Sequence, residues 1–144
     1  KEEYLKFSES MMDKPLSYYA FELLYWCGVR EGELLALSPS DFNFEKRTLR
    51  INKSYQRLEG EDVISTPKTK NSNRIVKMPQ FLCDEMQDFF KQYYSLQPDD
   101  RIFPVTKYYL SHEMDRGCKE SGVKRIRVHD LRYPNLNKIQ TFCR

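Results

Sequence analysis

Cys27-Gly28-Val29-Arg30-Glu31-Gly32-Glu33-Leu34-Leu35-Ala36-Leu37 is the stretch whose reading decides the fold. The run 18–26 before it is strongly apolar and reads as a buried helix. Gly28 stops that helix and Arg30 falls in the turn. A second short helix then opens at Glu31 and ends at Leu37, because a residue preceding proline, here Ser38, disfavours helical geometry. An arginine held between two helices is placed rather than merely solvated. Taken singly, such a residue commonly serves only the local helix dipole or a nearby carboxylate.

Outward from this turn, the chain has the size of one domain: 144 residues, 40% hydrophobic, with ten Tyr and nine Phe to build a core. Residues 1–13 are charged and weakly patterned, with Tyr4, Leu5 and Phe7 as anchors, and read as a lead-in helix or the end of an interdomain linker. Pro15 sits in the first turn of the central helix, which is apolar on nearly every face. Tyr18, Tyr19, Tyr25 and Trp26 therefore read as core rather than as a base-stacking platform. Alternation over 48–53, 62–66 and 74–78 predicts a small three-stranded antiparallel sheet. The connection Thr66-Pro67-Lys68-Thr69-Lys70-Asn71-Ser72-Asn73 is polar, turn-rich and positive, and suits a hairpin that reaches toward a partner. From Pro79 the period becomes 3.6, with Leu82, Met86, Phe89, Phe90 and Tyr93 on one stripe that ends before Pro98. Leu110, Met114 and Cys118 mark another helix over 107–121, stopped by Gly122. The fold class is α+β: a mainly helical single domain carrying a small sheet. No glycine-rich phosphate loop or internal repeat interrupts it.

A net charge of +3 and a pI near 8.6 are only mildly basic, so distribution matters more than balance. Lys119, Lys124, Arg125, Arg127 and Arg132 face only Glu120 and Asp130, and Lys68, Lys70, Arg74 and Lys77 form a second basic group. Cys27, Cys83, Cys118 and Cys143 show no paired metal spacing and read as reduced thiols, most of them on apolar helix positions. No signal-peptide pattern and no apolar run of membrane-spanning length is present, so a cytoplasmic, nucleoid-associated location is expected.

Two further motifs change the reading of Arg30. Lys68-Thr69-Lys70 lies in the connection between strands, and His129-Asp130-Leu131-Arg132 puts an imidazole and a guanidinium on one helical face. Together with Arg30 they suggest a phosphate site. Arg30 with Gly32-Glu33-Leu34, then Lys68, then His129-x-x-Arg132, resembles the catalytic domain of the tyrosine recombinases, the phage integrase family. The resemblance runs from about residue 16 to 132 and includes Arg101-Ile102-Phe103-Pro104. It implies the following domain plan: 1–13 lead-in or linker end, 14–132 integrase-like catalytic domain, 133–144 an atypical tail.

The resemblance also implies a chemistry: site-specific DNA recombination through a phosphotyrosine, with no metal and no cofactor. Arg30 and Arg132 are then paired clamps on the scissile phosphate, whose planar forks match two non-bridging oxygens. Each such donor contributes roughly 3 kcal/mol to the transition state in a water-poor site. Lys68 protonates the leaving 5′ oxygen, with Lys70 as the alternative, and His129 assists proton transfer. Glu33 orients an arginine or the adjacent turn, while Arg74 and Arg127 support the site or contact DNA. The nucleophilic tyrosine that follows the His-x-x-Arg motif in this family is not identifiable. Tyr133 is the sole tyrosine in 133–144 and, as the neighbour of Arg132, points to another helical face. The expectation is a chain end truncated or altered in frame, catalytically incomplete by itself. DNA and, in the full-length protein, other recombinase protomers are the implied partners, with no membrane. A non-catalytic helical DNA-binding module is the alternative. A cysteine hydrolase lacks an activated Cys, and a metal-dependent nuclease lacks a carboxylate cluster.

Overall fold

A computed structural model describes residues 1–66, 73–93 and 95–131. In chain order its elements are α1 (Glu2–Ser10), α2 (Pro15–Cys27), α3 (Glu31–Ala36), a 3-10 turn (Pro39–Asp41), β1 (Phe42–Asn43), β2 (Thr48–Ile51), β3 (Ser54–Leu58), β4 (Glu61–Ser65), β5 (Arg74–Lys77), α4 (Gln80–Lys91), α5 (Lys107–Ser121) and a second 3-10 turn (Val128–Leu131).

Pro15 opens α2, where its missing N–H costs nothing, and Gly28 closes it in the left-handed conformation at φ 66°. Between them Ala20, Phe21, Leu23, Leu24, Tyr25 and Cys27 are all buried, which explains a helix without a polar face. α1 covers one side of it. Tyr4 stacks on Tyr25 with ring centroids 3.7 Å apart, and its hydroxyl donates to Glu22 at 2.6 Å. Phe7 and Met11 continue the same face, whereas Leu5, expected as an anchor, is 45% exposed because the helical period turns it outward. On α5, Gly117 makes close approach possible: a Cβ there would meet the Phe7 ring at 2.5 Å.

α4 buries Leu82, Cys83, Met86 and Phe89, and α5 buries Leu110, Met114 and Cys118. Thr106 caps α5, its Oγ1 accepting from Tyr109 N at 3.3 Å, and Gly122 ends it at φ 76°. Cys27, Cys83 and Cys118 are buried; Cys143 lies outside the described residues.

The small antiparallel sheet is present, with a different membership from that expected. Its order is β1-β2-β5, pairing Phe42 with Leu49 and Leu49 with Val76. The strand expected at 62–66 is β4, and it pairs with β3 in a separate hairpin, Tyr55 opposite Ile64. β1 is two residues long and β3 shows one buried residue in five, so neither carries the alternation that reveals a strand in sequence. Asp41 ties the first 3-10 turn to β2 and the residues after it: its fully buried carboxylate accepts from Arg50 at 3.0 Å and from Lys53 at 2.5 Å.

Candidate functional site

Arg30 is the residue before α3, in an extended conformation (φ −78°, ψ 155°), between buried Val29 and buried Gly32, Glu33 and Leu34. Its backbone is therefore fixed while its side chain is exposed. Glu33 Oε1 accepts the Arg30 N–H at 2.9 Å, satisfying one of the donors a helix start leaves open. Gly32 brings this turn against β3: a Cβ there would meet the Ser54 hydroxyl and lie 3.2 Å from the Tyr55 carbonyl oxygen.

The same Glu33 carboxylate takes a second load. Arg74, the first residue of β5, donates from both guanidinium nitrogens, Nη1 to Oε2 and Nη2 to Oε1, each at 2.9 Å. This is a bidentate pair on a buried carboxylate. Burial raises the Glu33 carboxyl, but the Arg74 bonds and the Arg30 N–H outweigh it and hold the group below the usual 4.5. Glu33 thus contacts both the Arg74 guanidinium and the backbone of the turn. Arg74 is engaged as a tie between β5 and the start of α3.

His129 lies in the second 3-10 turn, exposed, with Val128 and Leu131 buried on either side as anchors. Burial raises the Glu31 carboxyl, and Lys107 and His129 are close enough for their charges to oppose that shift. Arg127 is 79% exposed and pairs with Asp130 at 3.2 Å. The structure thus brings the Arg30 backbone, Glu33 and Arg74 together and leaves the His129 and Arg127 side chains exposed. Lys68, Lys70, Arg132 and Tyr133 lie outside the described residues.

Sequence reasoning gave Arg101 no role beyond family likeness. Its guanidinium lies 3.7 Å over the Tyr55 ring and donates to the carbonyl oxygens of Leu35 at 2.7 Å, Phe103 at 3.0 Å and Val105 at 2.8 Å. It clasps the end of α3, the β3 strand and the segment leading to α5. The position inside Arg101-Ile102-Phe103-Pro104 was its only available signal. Among the described residues no group of three or more His, Cys, Asp or Glu is placed to hold a metal, and no helix is long and apolar enough to cross a membrane.

The described residues form an α+β domain in which an exposed arginine opens a short helix and a buried carboxylate holds its backbone. The sequence profile of the phage integrase family matches residues 2–135, and the chain belongs to that family. It is 30% identical to the ICEBs1 integrase of Bacillus subtilis strain 168, over 94% of this chain and 40% of that protein. Similarity to the integrase of Mycobacterium phage L5 is 27% over 76% of this chain and 32% of that protein. Among solved structures, the Tn1549 transposon integrase in complex with circular intermediate DNA matches with a TM-score of 0.77 and 22% identity, over 99% of this chain and 51% of that one. XerA recombinase matches with a TM-score of 0.73 and 19% identity, over 97% of this chain and 47% of that one. These likenesses show the tyrosine recombinase catalytic-domain fold. The chain spans less than half of the curated relatives' length and about half of the solved chains.

Proposed function

We propose that this chain is the phosphate-holding part of a site-specific DNA recombinase of a phage or other mobile element, acting on DNA in the cytoplasm together with further protomers. The observation that carries the reading is the exposed Arg30 side chain on a backbone locked from both sides, by Val29 in the core and by Glu33 on the Arg30 N–H. The fixed backbone aims the side chain, and the two parallel N–H groups of a guanidinium fit two phosphate oxygens. Arg132 is the second clamp in this reading. Lys68 delivers a proton to the leaving 5′ oxygen, with Lys70 as the alternative, and His129 contacts the phosphate and assists proton transfer. The attacking group is left unassigned.

Fluorescence anisotropy with a labelled DNA duplex tests the reading. Arg30→Ala should weaken binding roughly ten- to hundredfold, in line with about 1.5–3 kcal/mol for a charge-assisted contact. Arg30→Lys should recover only part of the loss, because a point charge replaces a fork. An Arg30→Ala protein that keeps its circular dichroism spectrum and binds as tightly as the parent would overturn it. A module that binds DNA by diffuse charge alone would also treat Arg30→Lys as silent, which separates that alternative.

A further inference from the structure

The helices α2 and α4 run side by side in opposite directions. Trp26 meets Phe81 edge-on with ring centroids 5.1 Å apart, and Tyr19 meets Phe89 at 4.7 Å. These two contacts set Glu22 of α2 level with Glu85 of α4. Helical spacing then places Tyr18, Glu22 and Trp26 along one face of α2, and Phe81, Glu85 and Asp88 along one face of α4. Phe81 is 42% exposed, Asp88 is exposed, and Tyr18 and Trp26 are half-buried, so the paired face is open to an occupant.

Two features of this face call for a cation. Glu85 Oε2 is buried with no hydrogen-bond partner, and burial raises its carboxyl with no cation to oppose the shift. A buried carboxylate oxygen without a donor costs free energy that an incoming N–H recovers. Among the described residues Glu22, Glu85 and Asp88 form no ion pair. The second feature is the Trp26 ring. Lys1 Nζ lies 6.0 Å from its centroid, at the outer limit of a cation–π contact, so the ring already faces a positive charge. Arginine answers both: its weakly hydrated guanidinium stacks on an indole, and its fork donates to a carboxylate. A nucleic-acid backbone does not fit, because the carboxylates repel its phosphates.

We propose that the α2–α4 face docks an arginine-bearing amphipathic helix of a protein partner, its guanidinium reaching between Trp26 and Glu85 Oε2 and its apolar residues packing on Phe81 and Tyr18. A helix laid in a shallow groove is read through anchors three and four residues apart, the spacing these two faces present. The surface is separate from the phosphate site: its occupant is positive, where the occupant at Arg30 is negative.

Trp26 is the single tryptophan of the chain, so its emission reports on this face. The probe is a tryptophan-free peptide of about 18 residues, long enough to hold a helix, with Arg and Leu along one side. A saturable change in Trp26 emission is expected, with a counterpart carrying Lys for Arg binding severalfold more weakly. Glu85→Gln should weaken the Arg peptide about tenfold, as the loss of one charge-assisted bond requires. Asp88→Asn, at an exposed position, should weaken it severalfold and decides the matter if Glu85→Gln unfolds. Glu45→Gln, in the β1–β2 turn, is the control and should change nothing. The proposal is overturned if Glu85→Gln keeps the parent's circular dichroism spectrum and its affinity. It also fails if Glu45→Gln weakens binding equally or the Lys peptide binds as tightly, either of which would mean diffuse charge. A peptide-free chain that sediments as a dimer, and that Glu85→Gln returns to monomers, overturns it too, since a second copy would then occupy the face.

Discussion

One carboxylate, Glu33, meets the Arg30 N–H and both outer nitrogens of the Arg74 guanidinium. Arg74 leaves the connection that carries Lys68, so Glu33 fixes the exit of that connection relative to Arg30. Removing one partner of a buried pair costs about 3–5 kcal/mol, and the 28% exposure of Arg74 lets water repay part of it. Glu33→Gln should therefore lose about 2 kcal/mol in urea unfolding, and a change below about 0.5 kcal/mol would contradict the bracing role. Its pH dependence has a definite sign. The folded carboxyl sits below 4.5, so its contribution is complete above the unfolded value and is lost as pH falls through the folded one. Arg30 was legible in sequence because Gly28 and Ser38-Pro39 bracket its turn. The Glu33–Arg74 bond was not, because it joins residues 41 apart across a strand pairing that short exposed segments do not announce.

At the scale of elements, two helix contacts make predictions that propensity alone would get backwards. Gly117→Ala gains about 1 kcal/mol of helix propensity. The new Cβ, however, would meet Phe7 and Met11 of α1, and overpacking a filled core costs about 1–3 kcal/mol. Net destabilisation in thermal unfolding is expected; a raised Tm would mean that α1 shifts freely. Glu22, beneath α1, is the second case. Burial pushes its carboxyl up to about 7 although the Tyr4 hydroxyl bond opposes the shift. The folded state thus keeps a proton that the unfolded chain releases near 4.5, and stability falls as pH rises between those values. Between pH 5 and 8 the parent should lose about 2 kcal/mol relative to Glu22→Gln, measured by urea unfolding at each pH. Parallel curves for the two proteins would exclude it. The α5 helix was readable to its ends from Leu110, Met114, Cys118 and Gly122, because a one-sided apolar stripe with a glycine stop is a local signal. The β3–β4 hairpin was only partly readable: β4 is exposed along its whole length, and its partner is set by the tight turn at Glu59 and Gly60, both at positive φ.

Across the whole molecule, α1 belongs to the core on which the site rests, although its charge made it read as a lead-in. Tyr4, Phe7 and Met11 are 5%, 3% and 0% exposed, and they pack on α2 and α5, the helices that end at Gly28 and begin at Lys107. Each buried side chain of this size contributes about 2 kcal/mol. Together, before the entropy of ordering α1 is subtracted, they are comparable with the roughly 5–15 kcal/mol of net stability of a domain. A chain beginning at Lys14 should consequently unfold at markedly lower urea than the full 144 residues, with exposed apolar surface where Tyr25 and Gly117 lie. Arg30 follows α2, the helix that α1 covers, so the DNA affinity proposed for this chain should fall in the shortened chain even at temperatures where its helices persist. Urea midpoints by circular dichroism, with anisotropy on the same samples, check both statements. An unchanged midpoint and unchanged affinity would return residues 1–13 to the status of a linker. A lowered midpoint with full affinity would show that the site holds its geometry without the α1 clamp.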